Sequence, residues 1–537
     1  MDIGSLVEKR FAKTEFLPLK TSLQGAFRDG RLFVLPACLE ALAAEAFRRI
    51  AFFYRKSHLS LLAAAYGKAD TTANESSLLR DLLDNAVIAA EGSLPLCQDT
   101  GAASVYGWKP EGVVTGADDR AALERGIGAA YNKHRLRASL VAPVSFFGER
   151  NTGNNLPAQI RIEATPPGNP ADPCYRFLFT AKGGGSSNRT SYFPATPGIL
   201  YPDAWDGFLR EKIEALGTAA CPPYRLAIVA GGLSPEQNLE ILKLATTETL
   251  DEAPCFDAAS PDGASSVYAP LLFRDIFREK RAMEIAENSG LGAQAGGKRL
   301  VLDVRVLRLP RHAATFPVSI GVSCVAHRSM LGFINKDGVF LERLEENPRL
   351  LISKALKEAK PSVTFDIKTR RISFDMPMTE LCALLGGFEA GCALIADGKL
   401  LVARDAAHLA WRGLVERGEP LPDYLFKYPV FYAGPSETPP GCVTGSIGPT
   451  TSSRMDGFAE ELLSRGASLV TVGKGRRGGA WKEAADRYGG RYLCAAGGAA
   501  ALIASRHIVS ATIIDYPELA MEAVRLIEVK DLRLFTG

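Results

Sequence analysis

The chain has 537 residues, more than one hydrophobic core of ordinary size accommodates, so two or more domains are expected. Its 63 basic and 60 acidic residues nearly cancel, which leaves no overall field to attract nucleic acid or an anionic membrane surface. Any anion must therefore be bound by a local cluster of basic side chains.

The distribution of apolar residues and cysteines indicates a reducing compartment. The N-terminal segment MDIGSLVEKRFAKTEF has no apolar core of signal-peptide length, and the most apolar stretches are too short or interrupted to span a bilayer. We therefore expect a cytoplasmic location, with a mitochondrial one still open in a eukaryote. In such a compartment the ten dispersed cysteines are interpreted as buried thiols, metal ligands or nucleophiles, and not as disulfides.

The predicted elements begin with helices and continue as a mixed pattern. In about the first ninety residues, ACLEALAAEAFRRIAFFYR and SSLLRDLLDNAVIAAEG carry apolar residues at helical spacing. From Val144 to Ile320, β-rich runs such as YRFLFTA and RLVLDVRVLRL alternate with helical ones. The segment GFINKDGVFLERLE predicts a hairpin that turns at residues 336–338.

A more polar stretch with little strand pattern predicts the domain junction. We assign residues 1–340 to an N-terminal domain, 341–363 to a linker and 364–537 to a C-terminal domain. In the C-terminal region, the apolar runs GKLLVARD and ASLVTVGKG each lead into a helical pattern. The predicted fold class is therefore α/β in both domains.

Several Gly-, Ser- and Thr-rich stretches favour a binding site for a small dianion. Lys474 and Arg404 directly follow apolar strands, where open α/β sheets bind ligands. In GPTTSSRMDG, Thr450 or Thr451 is suited to cap a helix, and Arg454 adds a bidentate partner for a carboxylate. Taken alone, each of Lys474, Arg404 and Arg454 is also explained as an ordinary basic residue on a solvated surface. The run of three glycines at 183–185 is compatible with an anion-binding nest or with a flexible turn.

The cysteines and histidines leave several chemistries open. Cys97, Cys221 and Cys324 form no C-x-x-C pair and lie at loop edges or strand ends. Three separated thiolates are able to hold an iron–sulfur cluster, although buried thiols explain the same pattern. His312 lies outside any zinc-binding spacing, so a structural role or a thiol hydrolase pairing with Cys97 stays open for it.

Taken together, the motifs resemble those of the class I fumarate hydratases, the iron–sulfur-dependent fumarases. The resemblance runs from about residue 35 to 530, with the motifs in family order: LPLCQDTGAA, NTGNNLPAQI, AKGGGSSN, LGTAACPPYRLAIVAGG, LGAQAGGK, RLPRHAA, VSCVAHR, VARDAAH, YAGPSETPPG, GPTTSSRMD and YPELAMEA. It implies an N-terminal α/β domain joined to a smaller swivelling C-terminal α/β domain. The active site would lie in the cleft between them, and the protein would be a homodimer.

The resemblance also implies a cofactor and a set of site residues. A [4Fe–4S] cluster would be held by Cys97, Cys221 and Cys324 and would act as a Lewis acid in the reversible hydration of fumarate to (S)-malate. Asp99 would be the catalytic acid and Thr450 the base. The implied contacts to the dicarboxylate substrate are Gln98, Arg137, His312, Arg404, Arg454 and Lys474.

Two alternatives to fumarate hydration stay open at this point. A hydro-lyase of the same scaffold that acts on tartrate or mesaconate would carry nearly the same motifs. A non-catalytic iron–sulfur redox sensor would share the cysteines, but it would not need four basic residues at a cleft.

Overall fold

The computed structural model describes residues 3–21, 25–68, 70–166, 173–256, 272–358 and 369–537. It begins with the helix Ile3–Ala12 and three short strands, Phe16–Pro18, Ala26–Arg28 and Arg31–Phe33. The two predicted helices follow at Pro36–Phe52 and Ala73–Ala89, and a further helix, Lys56–Tyr66, lies between them. The last of these begins at Thr72, whose hydroxyl accepts a hydrogen bond from the backbone N–H of Glu75.

The first large sheet carries the long N-terminal strands. Its six strands lie in the order Phe16–Pro18, Gly338–Glu342, Ser329–Asn335, Tyr175–Lys182, Ala102–Pro110 and Gln159–Thr165. The predicted hairpin is confirmed, because Asn335 pairs with Gly338 in antiparallel register. The helices Pro36–Phe52 and Asp119–Lys133 pack together beside this sheet and share its apolar core.

The second sheet has six strands in the order Ser191–Ala195, Phe316–Ser323, Tyr224–Gly232, Val301–Arg311, Phe273–Asp275 and Cys255–Phe256. Its central strand Tyr224–Gly232 is buried at every position, as its continuous apolar run requires. Helices cover the sheet at Pro202–Leu216, Pro235–Ala245 and Ile276–Asn288. Small sheets and turns complete this region, with strands at Val113–Val114, Val141–Pro143 and Glu149–Asn151 and short helices at Gly184–Ser187 and Pro197–Leu200.

The C-terminal region forms a third sheet of seven strands. They lie in the order Arg370–Ser373, Ala393–Val402, Val430–Phe431, Val470–Gly473, Arg491–Ala495, Val524–Thr536 and Ile508–Asp515. Ala393–Val402 also pairs with Val524–Thr536, so five of these strands close into a ring. The surrounding helices are Met378–Gly386, Asp405–Glu416, Tyr424–Lys427, Ser452–Phe458, Ala459–Leu463, Gly479–Tyr488, Ala500–Leu502, Ile503–His507 and Pro517–Glu522.

The predicted α/β class is confirmed in both regions. Within the predicted linker, the helix Pro348–Glu358 follows the strand Gly338–Glu342, and residues 359–363 lie outside the described residues. The limits 1–340, 341–363 and 364–537 therefore stay a prediction. A helix with the length and apolarity needed to cross a membrane is absent from the described part of the chain.

Candidate active site

Strand register brings three N-terminal loops to one edge of the first sheet. Ala102 pairs with Lys182, and Thr180 pairs with Ser329, each in antiparallel register. Antiparallel pairing places the start of one strand beside the end of its neighbour. The loop before Ala102, the glycine run after Lys182 and the loop before Ser329 are therefore neighbours, although the sequence separates them widely.

The same logic joins two of the cysteines at the second sheet. Arg225 pairs with Ser323 in antiparallel register, so Cys221 precedes one strand where Cys324 follows the other. The backbone N–H of Val325 donates to the carbonyl of Cys221 at 3.0 Å. Residues 324–328 connect the two sheets, and through them the thiols of the second sheet reach the loop that carries Cys97.

The three thiols form one electrostatic group. All three are free; Cys97 and Cys221 are buried and Cys324 is half-buried. Burial, the largest effect, raises the pKa of Cys97 to about 11, with Arg328 opposing and the charges of Cys221 and Cys324 adding to it. Burial also raises the pKa of Cys221, against the ammonium of Lys474. Thiols that stay protonated in such a place would be deprotonated by a bound metal.

A lysine ammonium lies beside the thiols, and no single-ion metal site includes them among the described residues. Across the described residues, no three His, Cys, Asp or Glu side chains converge on a point that one metal ion would occupy. Iron–sulfur clusters are held by cysteine thiolates, each on a different iron, so their ligands do not need to meet at one point. Lys474 donates from Nζ to Cys221 Sγ at 2.6 Å, which provides positive charge beside the thiols.

Asp99 is held as a carboxylate on the Cys97 loop. Its Oδ1 lies 3.3 Å from Arg137 Nη2 and accepts the N–H of Gly101 at 3.1 Å. Its Oδ2 accepts the N–H of Gly184 at 2.9 Å, so the glycine run binds an anion of the protein itself. Burial alone would raise the pKa of Asp99, but Arg137, Arg328 and these N–H groups outweigh it, and the pKa is lowered.

Contacts to the C-terminal region make this edge one wall of a cleft. Gln98 donates to the carbonyl of Pro449 at 3.4 Å, and Arg137 donates from Nη1 to the carbonyl of Gly434 at 3.2 Å. At the base of the same loop, Ser446 donates to the carbonyl of Pro95 at 2.6 Å. Both halves of the chain therefore contribute to the site.

The opposite wall presents the remaining basic residues. Arg404 directly precedes the helix Asp405–Glu416, and its Nη2 pairs with Glu522. The pKa of the Arg137 guanidinium is lowered, mainly by burial. The nearby positive charge of Arg404 also lowers it. The buried guanidinium groups of Arg137 and Arg404, one from each half of the chain, are therefore close enough to interact electrostatically.

Thr451 occupies the N-cap position that the sequence offered to Thr450 or Thr451, but the expected side-chain capping bond is not formed. Thr451 precedes the 3₁₀-helix Ser452–Phe458, but its side chain makes no capping bond and instead donates to the carbonyl of Ala219 at 3.1 Å. The hydroxyl of Thr450 accepts from Arg454 Nη1 at 3.1 Å. Thr450 is therefore oriented by an arginine that also pairs with Asp405, through Arg454 Nε at 3.0 Å from Oδ1.

His312 is not brought to this cleft within the described chain. His312 is exposed and bonds within its own loop. The N–H of Ala314 donates to its Nδ1 at 3.2 Å, and Arg311 donates to its backbone carbonyl at 3.0 Å. The thiol hydrolase pairing is not formed either, because Cys97 donates to Gln98 Oε1 at 3.5 Å. A substrate contact by His312 stays a prediction.

Two residues of the site were missed by sequence reasoning. Arg328 is buried and donates from Nη1 to the backbone carbonyl of Asp99 at 2.6 Å. Glu522 accepts from the N–H of Ala406 at 2.8 Å besides pairing with Arg404. Both lie inside motifs of the resemblance, VSCVAHR and YPELAMEA, but neither motif has a local pattern that assigns these side chains a partner.

Comparison with known proteins covers nearly the whole chain. Sequence models described as fumarate hydratase and as the fumarase C-terminus match residues 40–332 and 338–536. The aerobic class I fumarate hydratase of Escherichia coli K12 is 41% identical over 504 residues, which is 94% of this chain and 88% of that protein. Fumarate hydratase 2 of Leishmania major is 40% identical over 528 residues, 98% of this chain and 90% of that protein. The anaerobic class I enzyme of Escherichia coli K12 is 40% identical over 504 residues, 94% of this chain and 88% of that protein. With this identity extending across both halves that form the cleft, the chain belongs to the class I fumarate hydratase family.

Proposed function

We propose that this enzyme catalyses the reversible hydration of fumarate to (S)-malate. The observation that supports the proposal is that the loop of Cys97 and Asp99 contacts Arg137 and the C-terminal half of the chain, and that Lys474 from that half contacts Cys221. A linear dianion needs positive charge at both ends, and a cleft between two domains supplies it from opposite walls.

We propose that Cys97, Cys221 and Cys324 hold a [4Fe–4S] cluster. When bound, the cluster supplies a Lewis acid that polarises a substrate carboxylate and the hydroxyl at C2. Three protein thiols leave one iron open for this contact. The ammonium of Lys474 and the guanidinium of Arg328 would offset the negative charge of the thiolates, because both groups interact electrostatically with these cysteines.

Substrate binding is assigned to the charged and amide groups of the cleft. Arg137, Arg404 and Lys474 are buried, so a carboxylate that pairs with them is shielded from competing water. Arg454 is more exposed, with 47% of its side chain accessible to solvent. It would cover the bound substrate on the side that faces solvent. Gln98 adds an amide beside Asp99 on the Cys97 loop.

Asp99 and Thr450 would move the two protons of the reaction. In hydration, Asp99 takes a proton from the attacking water, for which its lowered pKa supplies the required carboxylate, and Thr450 gives its hydroxyl proton to C3. In dehydration, Thr450 as alkoxide removes the C3 proton and Asp99 protonates the leaving hydroxyl. Arg454, 3.1 Å from the Thr450 hydroxyl, stabilises the alkoxide in both directions.

Anaerobic reconstitution with iron and sulfide tests this proposal. The reconstituted protein should show the visible absorption of an iron–sulfur cluster and hydrate fumarate faster than it dehydrates tartrate or hydrates mesaconate. Cys97→Ser, Cys221→Ser and Cys324→Ser should each lose colour and activity. Cys392→Ser, directly before the strand Ala393–Val402, is the matched control and should keep both. A full cluster in Cys221→Ser would refute the ligand assignment, and faster turnover of tartrate would refute the substrate.

We also propose that two copies associate as a homodimer. The hairpin of strands Val141–Pro143 and Glu149–Asn151 ends in Phe146 and Phe147, whose exposed fractions are 92% and 95%. Adjacent exposed phenylalanines are costly in water and are typical of a contact surface. The hairpin follows Arg137 directly in the chain, so a second copy packed there would also brace the substrate cleft.

A reducing, cytoplasmic location is proposed on the state of the cysteines. Cys255 is exposed and forms no disulfide within the described residues, and Cys97, Cys221 and Cys324 are free thiols as well. Free thiols persist in the cytosol, where glutathione and thioredoxin keep them reduced. Cell fractionation with an antibody to this chain tests the location, and recovery in a secreted fraction would contradict it.

A further inference from the structure

The motif LGAQAGGK forms a tight loop whose tip is Gln294. Leu291 bridges Gly297 and Gly292 bridges Gly296, which closes the loop on itself. A Cβ on Gly292 would lie 2.0 Å from the carbonyl oxygen of Gly296, so only glycine permits this closure. Gln294 itself has a φ of 86°, a left-handed conformation that a side chain normally avoids.

The Gln294 amide joins the two domains beside a proposed cluster ligand. Its Nε2 donates to the carbonyl of Pro222 at 2.8 Å and to the carbonyl of Gly497 at 2.8 Å. Its Oε1 accepts the backbone N–H of Gly497, also at 2.8 Å. Two acceptors on one side and one donor on the other determine the orientation of the amide. Pro222 follows Cys221 directly, whereas Gly497 belongs to the C-terminal domain.

Gly497 also touches the thiol. A Cβ on Gly497 would lie 2.6 Å from Cys221 Sγ and 3.0 Å from both Gln294 Oε1 and Lys474 Cδ. The backbone of the C-terminal domain is therefore packed against the sulfur, and Gln294 holds that backbone in place. A larger residue at position 497 would separate the two.

The loop is anchored from behind by a buried carboxylate. Glu75 is fully buried and accepts the N–H of Arg299 at 2.6 Å, of Ala293 at 3.1 Å and of Lys298 at 3.3 Å. These bonds surround the loop tip on both sides and hold Gln294 in its unfavourable backbone conformation. A strained loop that is anchored by hydrogen bonds and fixes one amide is typical of a residue that positions its neighbours.

We propose that Gln294 is a positioning residue that fastens the C-terminal domain to the Cys221 loop and thereby slows loss of the cluster. The proposal rests on the proposed function. Gln294 and Lys474 also line a cavity of about 420 Å³ that includes Trp481 and Gly296, so this amide lies between Cys221 and a space that water and chelators enter. If the Gln294 amide lost its three hydrogen bonds, Gly497 would move away from the Cys221 sulfur. Water and chelators would then reach Cys221 from the cavity.

Gln294→Met tests the contact, because methionine matches glutamine in length and makes none of the three bonds. Loss of a hydrogen bond of about 1 kcal/mol corresponds to roughly fivefold in an opening equilibrium. Amide hydrogen exchange at residues 497–500 of the cluster-free protein should therefore accelerate about fivefold or more, while exchange in the strand Ala393–Val402 is unchanged. In the reconstituted protein, anaerobic loss of the visible colour in EDTA should accelerate about fivefold or more.

Two further variants separate positioning from misfolding. Gln237→Met is the matched control, because Gln237 accepts the N–H of Leu233 at 2.8 Å far from the cleft, and it should behave as the wild type. Gly497→Ala attacks the same contact from the other domain and leaves the Gln294 loop intact, so it should also lose the cluster faster.

The outcomes distinguish this inference from the proposed function. Wild-type exchange and wild-type colour loss in Gln294→Met would overturn the inference. Equal acceleration in Gln237→Met would also overturn it, since the effect would not depend on the contact. If the wild type binds no cluster, the proposed function fails, and the role of Gln294 in cluster retention fails with it. The exchange comparison would then still decide whether Gln294 joins the domains.

Discussion

Arg454 and Thr450 form a direct pair in the cleft, with Nη1 of the arginine donating to the threonine hydroxyl at 3.1 Å. Arg454 is held for this contact by Asp405, which begins the helix Asp405–Glu416. A hydroxyl that accepts from a guanidinium has its oxygen lone pairs and its negative form stabilised. This is what a threonine needs to exchange a proton with carbon, and it is absent from an ordinary capping residue.

The first prediction concerns the hydroxyl of Thr450. Thr450→Ala should retain the cluster and bind malate, but should exchange the C3 proton of malate with deuterated solvent roughly a hundredfold more slowly, because the proton has no acceptor. Thr450→Ser keeps the hydroxyl and should retain much of the exchange rate. Thr512→Ala, on an exposed strand, is the control. Unchanged exchange in Thr450→Ala, measured by NMR, would place the base elsewhere.

The second prediction concerns the ion pair between Arg404 and Glu522. Glu522→Gln leaves Arg404 without its charged partner and should let the guanidinium move from the substrate position. KM for fumarate should rise roughly tenfold, about 1.4 kcal/mol of binding, with a smaller change in kcat. Steady-state kinetics check this against Glu518→Gln, an exposed glutamate of the same helix Pro517–Glu522. Equal KM values in both variants would show that Glu522 does not position Arg404.

The third prediction concerns the exposed hairpin. Replacement of Phe146 and Phe147 together by serine should convert the dimer to a monomer, because the apolar area that drives association is removed. Sedimentation velocity at several protein concentrations measures the change. Replacement of Leu233, which is 72% exposed on a separate loop, is the control and should leave association intact. A double variant that sediments as the wild type would assign the interface to another surface.

The fourth prediction concerns pH and His408. This side chain is buried, and burial lowers its pKa from 6.5 to about 4, so the folded protein holds it neutral. A lowered pKa means that the unfolded chain binds the proton more readily. Stability is therefore complete above about pH 6.5 and is lost as the pH falls toward 4, by about 3 kcal/mol in total.

His408→Asn removes this titration and keeps a polar group near the carbonyl of Arg404, which lies 2.9 Å from Nδ1. Between pH 7 and 4.5, the free energy of unfolding should fall less steeply in His408→Asn than in the wild type, since all other titrations are shared. Urea denaturation of the cluster-free protein at several pH values gives both curves. Parallel curves would show that His408 is not held neutral by the fold.

Local patterns in the sequence were sufficient to predict many secondary-structure elements and to name candidate site residues, whose catalytic roles stay predictions. The hairpin at 336–338 follows from turn residues between two apolar runs, and the helices before residue 90 follow from apolar spacing. Such features depend on neighbours a few residues apart, which the chain order already supplies. The position of the thiols at loop edges was predictable for the same reason, because a cysteine next to Pro, Gly or a strand end is visible locally.

Only the tertiary structure decided which side chains meet. Arg137 reaches Asp99 and Gly434, Lys474 reaches Cys221, and Glu522 reaches Arg404 across hundreds of residues or between separate elements. These partners follow from strand register and domain contact, and a single local motif contains neither. For this reason the capping bond expected of Thr450 or Thr451 was not found, and Arg328, Glu522 and Gln294 were missed. The sequence by itself determined which chemical groups were available. Antiparallel register and contacts between the N-terminal and C-terminal halves of the chain determined which of them lie together, because side-chain contacts at such separations exist only after the strands are paired.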